Sequence, residues 1–398
     1  MIKDPKVIYG VERFFKEEIF KKYKGKRVAL LCNQASVDYN FIPVFILFKK
    51  HFKKDFKLIF SPQHGLFSEK QANMIASEDE IEPITQTPVI SLYGKRLKPE
   101  KEHLDEVDIV FVDLQDVGCR VYTYIWTLYL LMETCEENGK KLVIFDRPNP
   151  IGAQIEGPLL EPDYFSFIGM DVLPLRHGLT IGEIANLFKK RRFDNLDLEV
   201  IKMKGYKKNL LYPEIGRPWV FPSPNMPTWE TALIYPGQVL LEGTNLSEGR
   251  GTTNPFLIFG APYLKLKSLF SLFKKVFSSE REGFILRPIV FEPTFDKWKG
   301  KRCYGFQIHV LDYYKFKPVK TTLIILKIIK GIFKDFKFIE GPYEFEKRKK
   351  PIEILIGDSQ ILKWLEGKDE IDLDFYLYYN LKNYLEEIKG CTFYQFNV

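Results

Sequence analysis

Five short runs in the first half of the chain are predominantly apolar, with their charged residues at or near the ends: RVALLCN (27–33), FKLIFS (56–61), PVISLY (88–93), DIVFVDL (108–114) and KLVIFD (141–146). A strand with one wet face alternates apolar and polar residues, so an apolar run of this length without alternation belongs to a strand covered on both sides. FIPVFILFKKHF (41–52) and YTYIWTLYLLMETCEENG (122–139) lie between such runs and carry a helical period. This alternation predicts a parallel sheet with helices on both faces, an α/β fold. A further helix is expected over 180–193, where Thr180 and Glu183 have capping-box spacing, and a strand over 198–205.

At 398 residues the chain exceeds what one core usually serves, so two domains are expected, 1–215 and a smaller α/β or α+β unit over 216–398. A proline- and aromatic-rich crossover (212–230) joins them. In the second unit the pattern predicts a helix at 256–278, strands at 285–295 and 304–312, and a helix at 320–337. A short strand at 352–357 and helices at 359–367 and 379–389 follow.

The basic runs KKYKGKR (21–27), KKRR (189–192) and EKRKK (346–350) carry much of the net charge of +7 and read as solvated faces. No zinc-finger spacing or basic-aromatic stripe accompanies them, so no nucleic-acid partner is expected. Five scattered cysteines without a CxxC pair argue against a disulfide framework or a structural zinc site and fit a reducing, cytoplasmic setting. The N-terminal residues lack a signal-peptide core, and TTLIILKIIKGIF (321–333) is too short and lysine-broken to span a membrane. Oligomeric state is not legible.

Chemistry concentrates in polar loops that leave the apolar runs: 61–73, 113–124, 146–157, 222–228 and the glycine-rich EGTNLSEGRGTTN at 242–254. Ligands of open α/β sheets bind at the carboxyl ends of the strands, where most of these loops begin. GxGxxG, P-loop and GxSxG motifs are absent, and two isolated loop histidines, His64 and His177, do not make a metal site, so no cofactor or metal is expected. Carboxylates are the stronger signal: Glu69, Asp113, Asp116, Asp146, Glu156, Glu242 and Glu248 all fall in these loops. Two carboxyl groups at a defined separation are what glycoside hydrolysis requires. The competing role for each acid is to cap a helix or pair with Arg120, Arg147, Arg176 or Arg250. Asn149, Asn225 and Asn245 suit hydroxyl and acetamido groups, and Tyr93, Tyr122, Tyr124 and Trp229 could offer stacking faces.

The strings LLCNQASVD (30–38), SPQHG (61–65), VDIVFVDLQDVGCRVYTYIWTL (107–128), VIFDRPNPIG (143–152), LRHGLTIGEIANLF (175–188), PSPNMPT (222–228) and LEGTNLSEGRGTTNPFLIFGAP (241–262) resemble the exo-β-N-acetylmuramidase family. The resemblance implies a Rossmann-like N-terminal domain, a smaller C-terminal α/β domain and an active-site cleft between them. It also implies hydrolytic release of N-acetylmuramic acid from the non-reducing end of peptidoglycan fragments, in cell-wall recycling. One position departs from the pattern: family members carry a glutamate before His-Gly, where this chain has Gln63, and an amide cannot exchange a proton as an acid or base does. Glu69 is then the nearest acid in that loop, with Asp116, Glu242 and Glu248 as candidates for the second carboxylate. Gln63 is left to position water or substrate. On this reading Arg120, Arg176 and Arg250 meet the lactyl carboxylate, since a guanidinium binds a carboxylate in two-pronged fashion. His64, Asn149, Asn225 and Asn245 contact hydroxyls and the acetamido group, and Tyr124, Asp146 and His177 complete the site. The alternatives are a glycan-binding protein without catalysis and a hydrolase of another glycan.

Overall fold

The computed structural model describes residues 6–71 and 74–396, so the last two residues of the 61–73 loop lie outside it. All five apolar runs form strands: β1 (Val28–Cys32), β2 (Phe56–Ser61), β4 (Pro88–Ser91), β5 (Ile109–Asp113) and β6 (Lys141–Phe145), with β3 (Glu80–Ile81) before β4. After β6 come a two-stranded ribbon, β7 (Glu156–Leu159) and β8 (Pro174–Arg176), and then β9 (Leu198–Ile201). Seven of these make one sheet in the order β3-β4-β2-β1-β5-β6-β9, parallel except for the edge strand β3. Every residue of β1 and β5 is buried, as the apolar runs require.

The chain winds from β1 to β2 and β4 on one side, then from β5 to β6 and β9 on the other. Right-handed crossovers running in opposite directions put their helices on opposite faces. One face is filled by phenylalanines: Phe14 of helix Gly10–Lys16 stacks on Phe48 of helix Val44–Phe52 at 6.2 Å and meets Phe145 at 4.8 Å. Helices Tyr124–Glu137 and Ile181–Arg192 pack together through Trp126 and Phe188, 5.6 Å apart. The capping box is present: the Glu183 amide donates to the Thr180 hydroxyl at 3.2 Å, and the Thr180 amide to the Glu183 carboxylate at 3.1 Å.

The second half carries a three-stranded antiparallel sheet, β10 (Ile258–Ala261), β12 (Cys303–Val310) and β11 (Phe284–Phe291) in that order. Helix Pro318–Ile332 packs on helix Trp229–Gln238, where Gln238 Nε2 donates to Thr322 Oγ1 at 2.8 Å. The final helix, Leu373–Ile388, returns to the first half: the Tyr384 hydroxyl donates to the His177 carbonyl at 2.9 Å and Arg191 pairs with Glu387.

Two expectations are corrected. The helix predicted at 256–278 is a strand, β10, followed by a shorter helix, Leu266–Val276. β10 lies so close to β12 that a Cβ on Gly260 would come within 2.5 Å of the Tyr304 carbonyl, and a short buried apolar run carries no period that separates strand from helix. The strand predicted at 352–357 is a helix, Pro351–Ile356. Its stops were in plain view: proline in the first turn, Glu353 three residues after the cap, and Gly357 in the left-handed region at φ 69°.

Candidate functional site

The site forms where the two halves meet, beyond the carboxyl end of β2. A recess of about 400 Å³ is lined from the first half by Gln63, His64, Thr123 and Asn225, and from the second by Tyr235, Glu242, Arg250, Tyr343 and Glu344. Every residue lining it is buried. Its walls carry more polar groups than most small-molecule sites.

Two hydrogen-bonded chains meet there. In the first, the Thr123 hydroxyl donates to Gln63 Oε1 at 2.7 Å, Gln63 Nε2 donates to Glu344 Oε1 at 3.2 Å, and the Tyr93 hydroxyl donates to Glu344 Oε2 at 2.7 Å. In the second, Arg250 Nη2 donates to Glu242 Oε1 at 2.8 Å while the Tyr343 hydroxyl donates to Glu242 Oε2. Arg250 also lies 3.4 Å from Glu248, which Lys297 meets at 2.9 Å, and its guanidinium sits 5.1 Å over the Phe256 ring. The Nη1 group of Arg250 is buried and has no hydrogen-bond partner among the described residues.

The two lining carboxyl groups therefore sit in unlike surroundings. Glu242 is paired with a guanidinium. Glu344 has two neutral donors, and burial, reinforced by the Glu242 charge, pushes its carboxyl up to about 7. Burial drives His64 the other way, down to about 4, which leaves it neutral. Its Nδ1 lies 2.8 Å from the Lys70 carbonyl, which can only accept, so Nδ1 carries the proton and Nε2 is an acceptor.

Of the residues singled out from sequence, Gln63, His64, Tyr122, Asn225, Glu242 and Arg250 are brought together in the recess. Asn225 exchanges hydrogen bonds with Gln71, through Nδ2 to its carbonyl at 3.1 Å and from its Nε2 at 3.2 Å. Glu248 lies one layer behind, its carboxyl raised by burial against the pull of Lys297. Tyr124 supports the wall, donating to the Pro222 carbonyl at 2.6 Å.

The others do not line the recess. Glu69 is exposed, 4.0 Å from the Lys70 ammonium. Asp116 is buried against His177 at 3.1 Å and accepts from the Gly118 amide at 2.7 Å, inside the 113–120 turn. Asp146 caps the helix that begins at Ile181, accepting from the Gly182 amide at 2.8 Å, the Thr180 hydroxyl at 2.9 Å and the Tyr394 hydroxyl at 2.6 Å; burial pushes its carboxyl up to about 7. Asn149 holds its own turn, bonded to the Leu179 carbonyl and the Ile151 amide. Asn245 ties the Asp335 carbonyl to the Lys337 amide. Arg120 donates to the carbonyls of Leu173, Leu355 and Ile356, and Arg176 to Gln154 Oε1 and the Ile151 carbonyl. Burial lowers both guanidinium groups to about 10, against a weaker pull from Asp358 on Arg120 and from Glu156 on Arg176. Among the described residues no cluster of three or more His, Cys, Asp or Glu could hold a metal ion.

Sequence reading passed over Glu344 and Tyr343 because they adjoin the basic run 346–350. The usable signal was Gly341–Pro342, a turn marker directly before them.

A second crevice, at the ends of β1 and β5, is lined by Tyr9, Arg147, Tyr212 and Arg217. Its charges are already matched: Arg147 holds Asp113 at 2.6 and 2.7 Å, and Arg217 holds Glu12 at 2.6 and 2.7 Å. It offers no pair of carboxyl groups to a sugar.

A family described as exo-beta-N-acetylmuramidase NamZ, N-terminal, matches residues 28–230, and its C-terminal counterpart matches residues 233–394. Peptidoglycan beta-N-acetylmuramidase NamZ of Bacillus subtilis (strain 168) is 44% identical over 346 residues, covering 85% of this chain and 81% of that protein. Two solved structures of DUF1343 family proteins from Bacteroides fragilis NCTC 9343 share the fold at 28% identity each. One has a TM-score of 0.86 over 99% of this chain and 100% of its own; the other has 0.76 over 98% and 99%.

Proposed function

The chain belongs to the exo-β-N-acetylmuramidase family, and from that premise we propose that it is an exo-acting glycosidase that releases N-acetylmuramic acid from the non-reducing end of peptidoglycan fragments. The observation that carries the reading to this site is the recess itself, with two carboxyl groups in unlike surroundings, Glu242 paired with Arg250 and Glu344 held by two neutral donors and pushed up to about 7 by burial. Divergent surroundings of two carboxyl groups are how one site keeps an acid and a carboxylate at the same pH.

Arg250 is the natural partner for the lactyl carboxylate, because its Nη1 is buried without a hydrogen bond. A carboxylate arriving there makes a charge-assisted pair in a dry site. Asn225 and neutral His64 meet the hydroxyl and acetamido groups. Glu242, paired with Arg250, supports the positive charge that builds on the sugar as the bond opens. Hydrolysis places the water hydroxyl on C1 and its proton on the leaving oxygen, with no cofactor required.

The reading treats residues 1–215 and 216–398 as its two domains, supported by sheets that end at Ile201 and begin again at Ile258. It places the enzyme in the cytoplasm, acting on imported fragments. Support comes from five cysteines that are all free and buried; among the described residues no helix is long and apolar enough to cross a membrane. The test is product analysis with two isomeric disaccharides, one with muramic acid at the non-reducing end and one with it at the reducing end. Only the first is cleaved. Binding of the first without release of free sugar points to a binding protein instead.

A further inference from the structure

We propose that Glu344 is the proton donor to the glycosidic oxygen, with Gln63 and Tyr93 as the residues that position it; the assignment rests on the hydrolase reading above. Glu344 lines the recess and makes no ion pair among the described residues. Its carboxyl oxygens accept one hydrogen bond each, from Gln63 Nε2 at 3.2 Å and from the Tyr93 hydroxyl at 2.7 Å. Each oxygen keeps a second lone pair, and the proton of the neutral acid occupies one that neither donor uses. The Thr123 hydroxyl donates to Gln63 Oε1, and the NH2 at the other end of the amide faces Glu344.

The backbone around Glu344 supports a functional role. Residues 343–346 form a tight turn in which the amides and carbonyls of Tyr343 and Glu346 are paired. Its two central residues, Glu344 and Phe345, both have positive φ, 46° and 68°. Turns of that kind favour Asn-Gly, and a non-glycine side chain there is strained. Such strain clusters where a side chain must be aimed. The turn presents Glu344 to the recess from the second half of the chain while Gln63 and Tyr93 hold it from the first.

Electrostatics agree with the geometry. Burial, reinforced by the Glu242 charge, disfavours a charge on Glu344, while Tyr93, Gln63 and Arg250 favour it; the balance keeps the carboxyl protonated up to about pH 7. As the C1–O bond opens, its electron pair stays on the leaving oxygen, which takes the Glu344 proton. Water then gives its hydroxyl to C1 and its proton to the carboxylates of the pocket, from which Glu344 is recharged.

The experiment compares wild type and E344Q on the non-reducing muramic acid disaccharide and on 2,4-dinitrophenyl β-N-acetylmuramide, whose leaving group departs without a proton. E344Q is expected to lose about 10²- to 10⁴-fold in kcat/KM on the disaccharide and no more than about tenfold on the aryl glycoside. Equal losses on both substrates, or no loss on the disaccharide, overturn the assignment. Y93F supplies a second reading that does not remove the acid. Loss of a donor to the carboxylate moves the alkaline limb of the kcat/KM profile to higher pH, and an unmoved limb counts against the positioning role. A wild type inactive on both substrates overturns the hydrolase reading itself, a result distinct from the others.

Discussion

The side-chain amide of Gln63 donates to the carboxyl of Glu344 across 3.2 Å, although 281 residues separate them in the chain. This contact joins the loop after the second strand of the sheet to a turn near the far end of the protein. It makes the recess a property of the assembled molecule.

Glu344 ties activity and stability to pH in the same direction, since both fall as its carboxyl ionises. Its carboxyl is raised from 4.5 to about 7 in the folded protein, so the folded state binds more protons than the unfolded state between those values. The resulting stabilisation is complete below about pH 4.5 and is lost as pH rises through 7. Urea denaturation of wild type and E344Q across pH 4–8 is expected to show wild type losing stability relative to the variant, by up to about 3 kcal/mol. Parallel curves contradict the raised carboxyl.

Arg250 is predicted to set selectivity for the lactyl group. R250K keeps a positive charge beside Glu242 but loses the planar fork. We expect the preference for an aryl N-acetylmuramide over the matching N-acetylglucosaminide to fall at least about tenfold, the order of one charge-assisted hydrogen bond. Steady-state kinetics on the two glycosides measures it.

Arg120 is predicted to matter for folding alone. Its guanidinium serves the carbonyls of Leu173, Leu355 and Ile356 and is fully buried. R120M keeps the bulk and strips the donors, and it is expected to cost on the order of 3 kcal/mol. Thermal unfolding reads the loss, while KM for the disaccharide stays within about twofold of wild type.

Glu69 is predicted to be dispensable for the chemistry. Its carboxylate is exposed beside Lys70, outside the recess. E69Q is expected to leave kcat within about twofold of wild type, since screened surface charges contribute little. A loss of about 10² or more in the disaccharide assay restores it as the acid of the first loop.

The scaffold was legible because burial on both faces leaves an unmistakable mark. The five apolar runs became strands, and Thr180 and Glu183 capped the helix their spacing indicated. The meeting of Gln63 and His64 with Glu242 and Arg250 was also readable from polar loops at strand ends. What the chain conceals is which polar groups serve the protein's own backbone. Asp146 and Arg120 look like site residues in one dimension, yet they satisfy amides and carbonyls of segments far along the chain. Glu344 was hidden for the converse reason: beside the charges of 346–350 it passes for one more solvated acid, and only tertiary packing removes it from water.

The most direct measurement is a crystal structure of E344Q with the non-reducing muramic acid disaccharide bound. The account predicts the muramic acid ring in the recess, its lactyl carboxylate on Arg250, and the glycosidic oxygen within about 3.2 Å of the side chain at position 344. A sugar seated in the crevice of Tyr9, Arg147 and Arg217, or turned so that position 344 meets no part of the scissile bond, contradicts it.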